Sequence, residues 1–126
     1  MPVGNISNAM VGIYSLAGDT KNPIPHFEFD LNSFRDPLGN LHLRKTAADG
    51  TDLLVQAWIK DDPRYGFILN QCLTLVKDHV EGGGKWISIG FRDHHGTWIS
   101  RAIACLVAAE LGLQFHVGVL HAKGQD

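Results

Sequence analysis

The segment from Lys85 to Ala122 constrains the fold most strongly, because it has the pattern of a strand, a helix and a second strand in succession. The run from Lys85 to Gly90 predicts the first strand, about Thr97 to Leu111 predicts the helix, and residues 114–122 predict the last strand. Gly112 ends the helix. Such a unit joins strands through a crossover helix, which indicates the α/β class.

The earlier part of the chain adds two strands and two helices. Met10 to Leu16 is short, apolar and β-branched, and His26 to Leu31 alternates apolar with polar residues, so both predict strands. Thr51 opens one helical pattern, and Asp62–Pro63 is a favoured start for a second helix, which three glycines end. The order β-β-α-α-β-α-β predicts one domain that spans the 126 residues, with a mixed, partly parallel sheet and crossover helices.

The net charge, the length of the apolar runs and the cysteines limit the partners and the location that we expect for this protein. A formal net charge of −2 gives no overall attraction to nucleic acid or to anionic membranes. No apolar run reaches the roughly 18 residues of a membrane span, and the residues from Met1 to Met10 lack the pattern of a signal peptide. Cys72 and Cys105 each lie in an apolar helical pattern, which predicts buried thiols in a reducing compartment. We therefore expect a cytoplasmic protein without a membrane partner.

A polar turn before the helix that ends at Leu111 carries most of the candidate site residues. In parallel sheets, ligands bind beyond the carboxyl ends of the strands, and a helix N-terminus favours anions. The residues that offer charge, hydroxyl groups, imidazoles or close backbone approach are Arg92, His94, His95, Gly96, Thr97, Ser100 and Arg101. Arg35, in the loop after the second strand, is expected at the same edge. Together they predict a phosphate pocket, and the alternative is an ordinary turn in which Thr97 caps its own helix.

Asp93, His94 and His95 raise a different possibility, because the Asp-His-His phosphoesterases carry these three residues after a strand at a two-metal site. Two cations need several carboxylates, and Asp30 and Asp36 are the nearby candidates in the early strands and loops. The chain is too short for the second domain of that family. We keep a metal-dependent hydrolase as an alternative, and we expect a protein that is not an enzyme and holds no metal or cofactor.

The order and spacing of five segments resemble the C-terminal domain of the RapZ family of RNase adapter proteins, from about Val11 to Lys123. The segments are VGIYSLAG, FEFDLNSFRDPLGNLHLRKTAADGTD, VQAWIKDDPRYGFILNQCLTLV, WISIGFRDHHGTWISRAIACLVAAELG and HVGVLHAK. The family's signature loop, Gly-Cys-x-Gly-Gly-x-His-Arg-Ser, is altered here. Alignment from Gly90 puts Phe91 on the cysteine, alignment on the helix puts Ser100 on the serine, and matching histidine to histidine uses His95. All three alignments stay open.

The resemblance implies a regulatory binding domain rather than an enzyme. Members of the family sense an amino-sugar phosphate, bind small RNA and self-associate. The resemblance therefore implies a small phosphorylated ligand, RNA or protein partners, and a homo-oligomer. The leading hypothesis is a domain that recognises such a ligand through residues 90–101. The alternative within the family is an RNA- or protein-binding adapter whose ligand pocket has decayed.

RNA binding depends on clustered basic side chains, which displace the counterions of the phosphate backbone. The candidates are Arg44, Lys45, His121 and Lys123. The tail after His121 is less basic than the family's, so this surface is the weaker prediction. Trp98, inside the turn, is a candidate to stack on a base, whereas Trp58 and Trp86 are expected in the core.

Overall fold

A computed structural model describes residues 9–18, 20–31, 53–93 and 98–122. The strands β1 (Met10–Ala17), β2 (Phe27–Asp30), β3 (Trp86–Asp93) and β4 (His116–Ala122) form one sheet, and the helices are α1 (Leu53–Lys60), α2 (Pro63–Glu81) and α3 (Trp98–Leu111). This arrangement confirms the predicted α/β class and, for the described residues, the predicted order of the elements. Within the residues described, no helix has both the length and the hydropathy to cross a membrane.

The described strands all run parallel, in the order β2-β3-β1-β4. We expected a mixed, partly parallel sheet, and every pairing among these strands is parallel. β1 lies between β3 and β4, with Ala17 opposite Asp93 and Ser15 opposite His121. The ends of β1, β3 and β4, at Ala17, Asp93 and Ala122, therefore meet at one side of the sheet, which we call the carboxyl edge.

One face of the sheet packs against the helices and forms the core. α3 contacts β1, β3 and β4, and both α1 and α2 contact α3. The core side chains alternate along the strands and recur along α3, and the fully buried ones include Val11, Ile13, Ile87, Ile89, Phe91, Ile103, Val107 and Leu111. Burial of one such side chain contributes roughly 1.5–3 kcal/mol, so this face supplies most of the stabilising contacts.

β3 continues beyond Gly90, where the sequence pattern predicted its end, and reaches Asp93. Phe91 extends the alternation of buried apolar residues along the strand, and its ring stacks on that of Phe29 in β2 with the centroids 5.6 Å apart. This packing keeps Arg92 in extended backbone rather than in the predicted turn. The connection to α3 therefore begins later than expected, after Asp93.

The ends of α2 follow their sequence signals. Oδ1 of Asp62 accepts a hydrogen bond from the backbone N–H of Arg64 at 2.9 Å, and Pro63 is the first helical residue. Gly82 caps the other end. Gly83 has a φ of 94°, a backbone conformation that favours glycine. The glycines thus end the helix, as predicted.

Trp86 covers the outer face of the sheet, which is the face turned away from the helices. Its side chain is 45% exposed, so the prediction that it lies in the core was wrong. The ring packs over Gly12 of β1, where an added Cβ would come within 2.5 Å of it. Because Gly12 has no side chain, it leaves space for the ring of Trp86. The side chains of Trp58 and Trp98 lie outside what the structure describes.

Candidate functional site

Polar side chains from β1, β4 and α3 meet near the carboxyl edge. Oγ of Ser15 lies 2.6 Å from Nδ1 of His121, its cross-strand partner. Nε2 of the same imidazole lies 3.8 Å from Sγ of Cys105 on α3. One imidazole thus connects a strand hydroxyl to a helix thiol, and we call this group the Ser15–His121–Cys105 cluster.

This cluster lies at the boundary between the core and the solvent. Ser15 is 2% exposed, whereas His121 and Cys105 are half-buried. In the tautomer with the proton on Nδ1, the imidazole donates to the hydroxyl of Ser15, and Nε2 accepts from the thiol. A nucleophile, a base and a group that orients the base are therefore within hydrogen-bonding reach of one another.

Arg101 lies one helical turn before Cys105 on α3, and both residues are half-buried. Helical residues four apart share a face, with their Cβ atoms about 5–6 Å apart. The Cα–Cβ bonds of a helix tilt toward its N-terminus, so the Arg101 side chain leans toward the carboxyl edge. Arg101 thus adds a positive charge at the end of α3 that also carries the positive end of the helix dipole.

Ser100 is in the first turn of α3, but it is 1% exposed. We expected its hydroxyl at an open ligand pocket, and the structure places this residue inside the protein instead. The other pocket residues that we predicted after β3 lie outside the described residues; these are His94, His95, Gly96 and Thr97. Arg35 also lies outside them.

Arg92 lies on the outer face of the sheet, and hydrogen bonds to a carboxylate and to backbone carbonyls hold its guanidinium there. Nε and Nη2 donate to the two carboxylate oxygens of Glu28 at 2.8 and 3.1 Å. Nη1 donates to the carbonyl of Gly18 at 2.7 Å, and Nη2 also donates to that of Thr20 at 2.9 Å. The side chain therefore joins β2, β3 and the segment after β1. This corrects the expectation that Arg92 and Arg101 share one phosphate, because the two residues occupy opposite faces.

An open cleft of about 570 Å³ lies beside Arg92 on the outer face, and Lys21, Ile24 and Glu28 also line it. Glu28 offsets the charge of the guanidinium, and backbone carbonyls accept further hydrogen bonds from it. An anion in this cleft would have to compete with a carboxylate that is already in place. Glu28 therefore offsets the charge of Arg92 in this cleft, and Lys21 adds a second positive charge to its lining.

His121 was also a candidate for a basic RNA-binding surface. The structure shows it half-buried, with each ring nitrogen close to a protein group. His121 is therefore not the exposed surface cation that a basic RNA-binding surface would need. The other residues of that surface, Arg44, Lys45 and Lys123, lie outside the described residues, so RNA binding stays a prediction.

Asp93 ends β3 and is buried, on the side of the sheet that packs against the helices. In the part of the chain that the structure describes, no three His, Cys, Asp or Glu side chains are placed to hold a metal ion. His94 and His95 lie outside that part. The metal-dependent hydrolase thus stays an untested alternative, without support from the described residues.

The two cysteines occupy different environments. Cys72 is fully buried in α2, and burial raises the pKa of its thiol to about 12. Cys105 is half-buried beside His121. The prediction of a buried thiol is right for Cys72 and wrong for Cys105. Sequence reasoning missed Ser15 and Cys105 as site residues, because their contact with His121 depends on the pairing of β1 with β4.

No protein-family model matches the chain, and a comparison with curated proteins finds no significant match. The likeness to the RapZ C-terminal domain therefore stays a prediction that depends on the sequence segments quoted above.

Proposed function

We propose that this domain binds a small phosphorylated ligand, such as an amino-sugar phosphate or a nucleotide-like molecule, at the carboxyl edge beside α3, and that it acts as a regulatory domain rather than an enzyme. The position of Arg101 is the observation that supports this most. It lies in the first turn of α3, on the same helix face as Cys105. A guanidinium next to a helix N-terminus offers a phosphate a fixed charge beside the positive end of the helix dipole.

In this proposal Arg101 neutralises the phosphate, and Ser100 is buried in the same helical turn. His121 lies at the rim, where a proton on its ring adds positive charge. His94, His95, Gly96 and Thr97 complete the pocket in this proposal, because they connect β3 to α3. Arg92 has no part in it, since Glu28 and two backbone carbonyls hold its guanidinium.

We propose a cytoplasmic location and self-association as further parts of this function. Cys72 and Cys105 are both thiols, which fits a reducing compartment. Met10, Trp86 and Leu120 expose apolar surface on the sheet. Such surface often marks a contact between protein chains, and sedimentation analysis would measure the oligomeric state.

A thermal-shift panel tests ligand binding. Glucosamine 6-phosphate, glucosamine, AMP, adenosine and inorganic phosphate are each added to the purified protein. We expect a phosphorylated compound to raise the Tm and its unphosphorylated counterpart to leave it unchanged. A ligand at a hundred times its Kd adds about 2.7 kcal/mol of stability, which corresponds to several degrees for a domain of this size.

Two charge variants locate the site. Arg101→Gln should remove most of the shift, measured against the Tm of that variant without ligand. Lys85→Gln is the matched control, because it removes the same charge at an exposed position just before β3, at the opposite end of the sheet. A flat panel, or equal responses in the two variants, would contradict the proposed site. A flat panel with salt-dependent RNA binding would favour the adapter instead.

A further inference from the structure

The Ser15–His121–Cys105 cluster has the arrangement of an activated nucleophile, which the binding of a phosphorylated ligand does not require. The thiol sulfur is 3.8 Å from one imidazole nitrogen, and the Ser15 hydroxyl is 2.6 Å from the other. Cys105 is half-buried, so part of its surface reaches the solvent. Thiolates react far faster than thiols, and a neighbouring imidazole promotes the thiolate.

We propose that Cys105 is a nucleophilic thiol, activated by His121, that forms thioethers with small α,β-unsaturated carbonyl compounds. Nε2 of His121 takes the thiol proton, and the sulfur forms a bond to the β-carbon of the electrophile. The π electrons move toward the carbonyl oxygen and give an enolate. The imidazolium then returns the proton to the α-carbon. No group leaves, and the addition needs no oxidant or reductant.

Ser15 is the positioning residue in this reaction. Its place in the β1–β4 register puts it directly opposite His121, and it is buried. When the Ser15 hydroxyl accepts from the Nδ1 proton, the lone pair of Nε2 points to the sulfur. Among the described residues near this end of the helix, Arg101 precedes Cys105 by one turn of α3, and Asp93 ends β3. Arg101 favours the thiolate, and Asp93 opposes it.

The chain supplies its own control thiol. Cys72 is fully buried, and burial raises the pKa of its thiol to about 12. An electrophile reaches it only when the protein opens. Labelling of Cys105 but not Cys72 would therefore show that the reaction occurs in the folded protein and not after unfolding. A rate faster than that of glutathione would then show that the Cys105 thiol is activated and not merely exposed.

N-ethylmaleimide, an α,β-unsaturated imide, is the probe. Its second-order rate with the folded chain is measured from pH 6.0 to 8.5 by intact mass spectrometry, and peptide mapping locates the adduct. We expect one adduct, on Cys105, in the wild-type chain and in Cys72→Ala, and none in Cys105→Ala. At pH 6.5 the rate should exceed that of glutathione by about tenfold or more, as for an imidazole-paired thiol.

Variants of the base, His121, and of the positioning residue, Ser15, complete the test. His121→Asn should lower the rate at pH 6.5 by about tenfold or more, and Ser15→Ala should give a smaller loss. Labelling of Cys72 before Cys105, a rate equal to that of glutathione, or an unchanged rate in His121→Asn would overturn the proposal. If His121→Asn does not fold, the wild-type profile decides. A rate retained below pH 7 supports activation, and a logarithm of the rate that rises with unit slope from pH 6 to 8.5 overturns it.

Discussion

Replacement of Arg92 by methionine tests whether this residue is a structural link or a ligand group. The guanidinium makes two hydrogen bonds to the Glu28 carboxylate and two to the carbonyls of Gly18 and Thr20. The Arg92 side chain is 18% exposed and that of Glu28 is 38% exposed. Methionine keeps much of the apolar stem and removes every donor, so the loss measures the hydrogen bonds.

The magnitude depends mainly on the two carbonyl bonds. A hydrogen bond from a charged donor contributes about 1.5–3 kcal/mol, and less where water can replace it. The ion pair with the more exposed Glu28 contributes about 0–1 kcal/mol. We therefore expect Arg92→Met to lower the free energy of unfolding by about 2–4 kcal/mol. Glu28→Gln should cost less than about 1 kcal/mol, because it leaves both carbonyl bonds intact.

Urea unfolding followed by tryptophan fluorescence measures these differences. Arg92→Lys is the matched control, because lysine keeps the charge but lacks the planar guanidinium that makes these hydrogen bonds. Its stability should fall between those of Arg92→Met and the wild-type chain. Each variant should keep the ligand-induced rise in Tm relative to its own unliganded value. Wild-type stability in Arg92→Met would contradict a structural role for Arg92, as would normal folding with loss of the ligand response alone.

Two glycines and the buried Cys72 thiol give three further predictions. Gly66 in α2 has no neighbour within 4 Å of an added Cβ, so Gly66→Ala should raise stability by about 1 kcal/mol in urea unfolding. Gly12→Ala should lower it by about 1–3 kcal/mol, because the new Cβ meets Trp86. The pKa of the Cys72 thiol is about 12 in the folded chain and 9.0 ordinarily, so the unfolded chain loses this proton first. The protonated Cys72 thiol therefore makes its full contribution to stability below pH 9, and this contribution is lost as the pH rises toward 12. By pH 10.5 the wild type should lose about 2 kcal/mol more than Cys72→Ala does, and an equal loss in both would contradict the assignment.

The sequence could predict those elements whose signals are local. Asp62 and Pro63 define the start of α2, and the alternation along β3 defines a strand because each signal acts through near neighbours. The predicted end of β3 was wrong, and Phe91, which continues the strand, stacks on Phe29, a residue distant in sequence. That extension also turns Arg92 to the outer face, which the sequence alone could not indicate.

Only the local part of the candidate site could be predicted from the sequence. The strand–turn–helix pattern correctly places Ser100 and Arg101 in the first turn of α3, because the signal is local. The contact between Ser15 and His121 joins residues 106 positions apart in the chain. It exists only because β1 lies beside β4 in one particular register. No periodic pattern near Ser15 or Cys105 carries that information.

A titration of isotope-labelled protein with glucosamine 6-phosphate, followed by amide chemical shifts, tests ligand binding at the carboxyl edge most directly. We expect saturable changes at residues 99–101 in the first turn of α3 and at His121, and little change at the amides of Lys21 and Glu28 beside the outer cleft. The same titration with Arg101→Gln should require a much higher ligand concentration. No change at millimolar ligand, or changes confined to the outer cleft, would contradict the account.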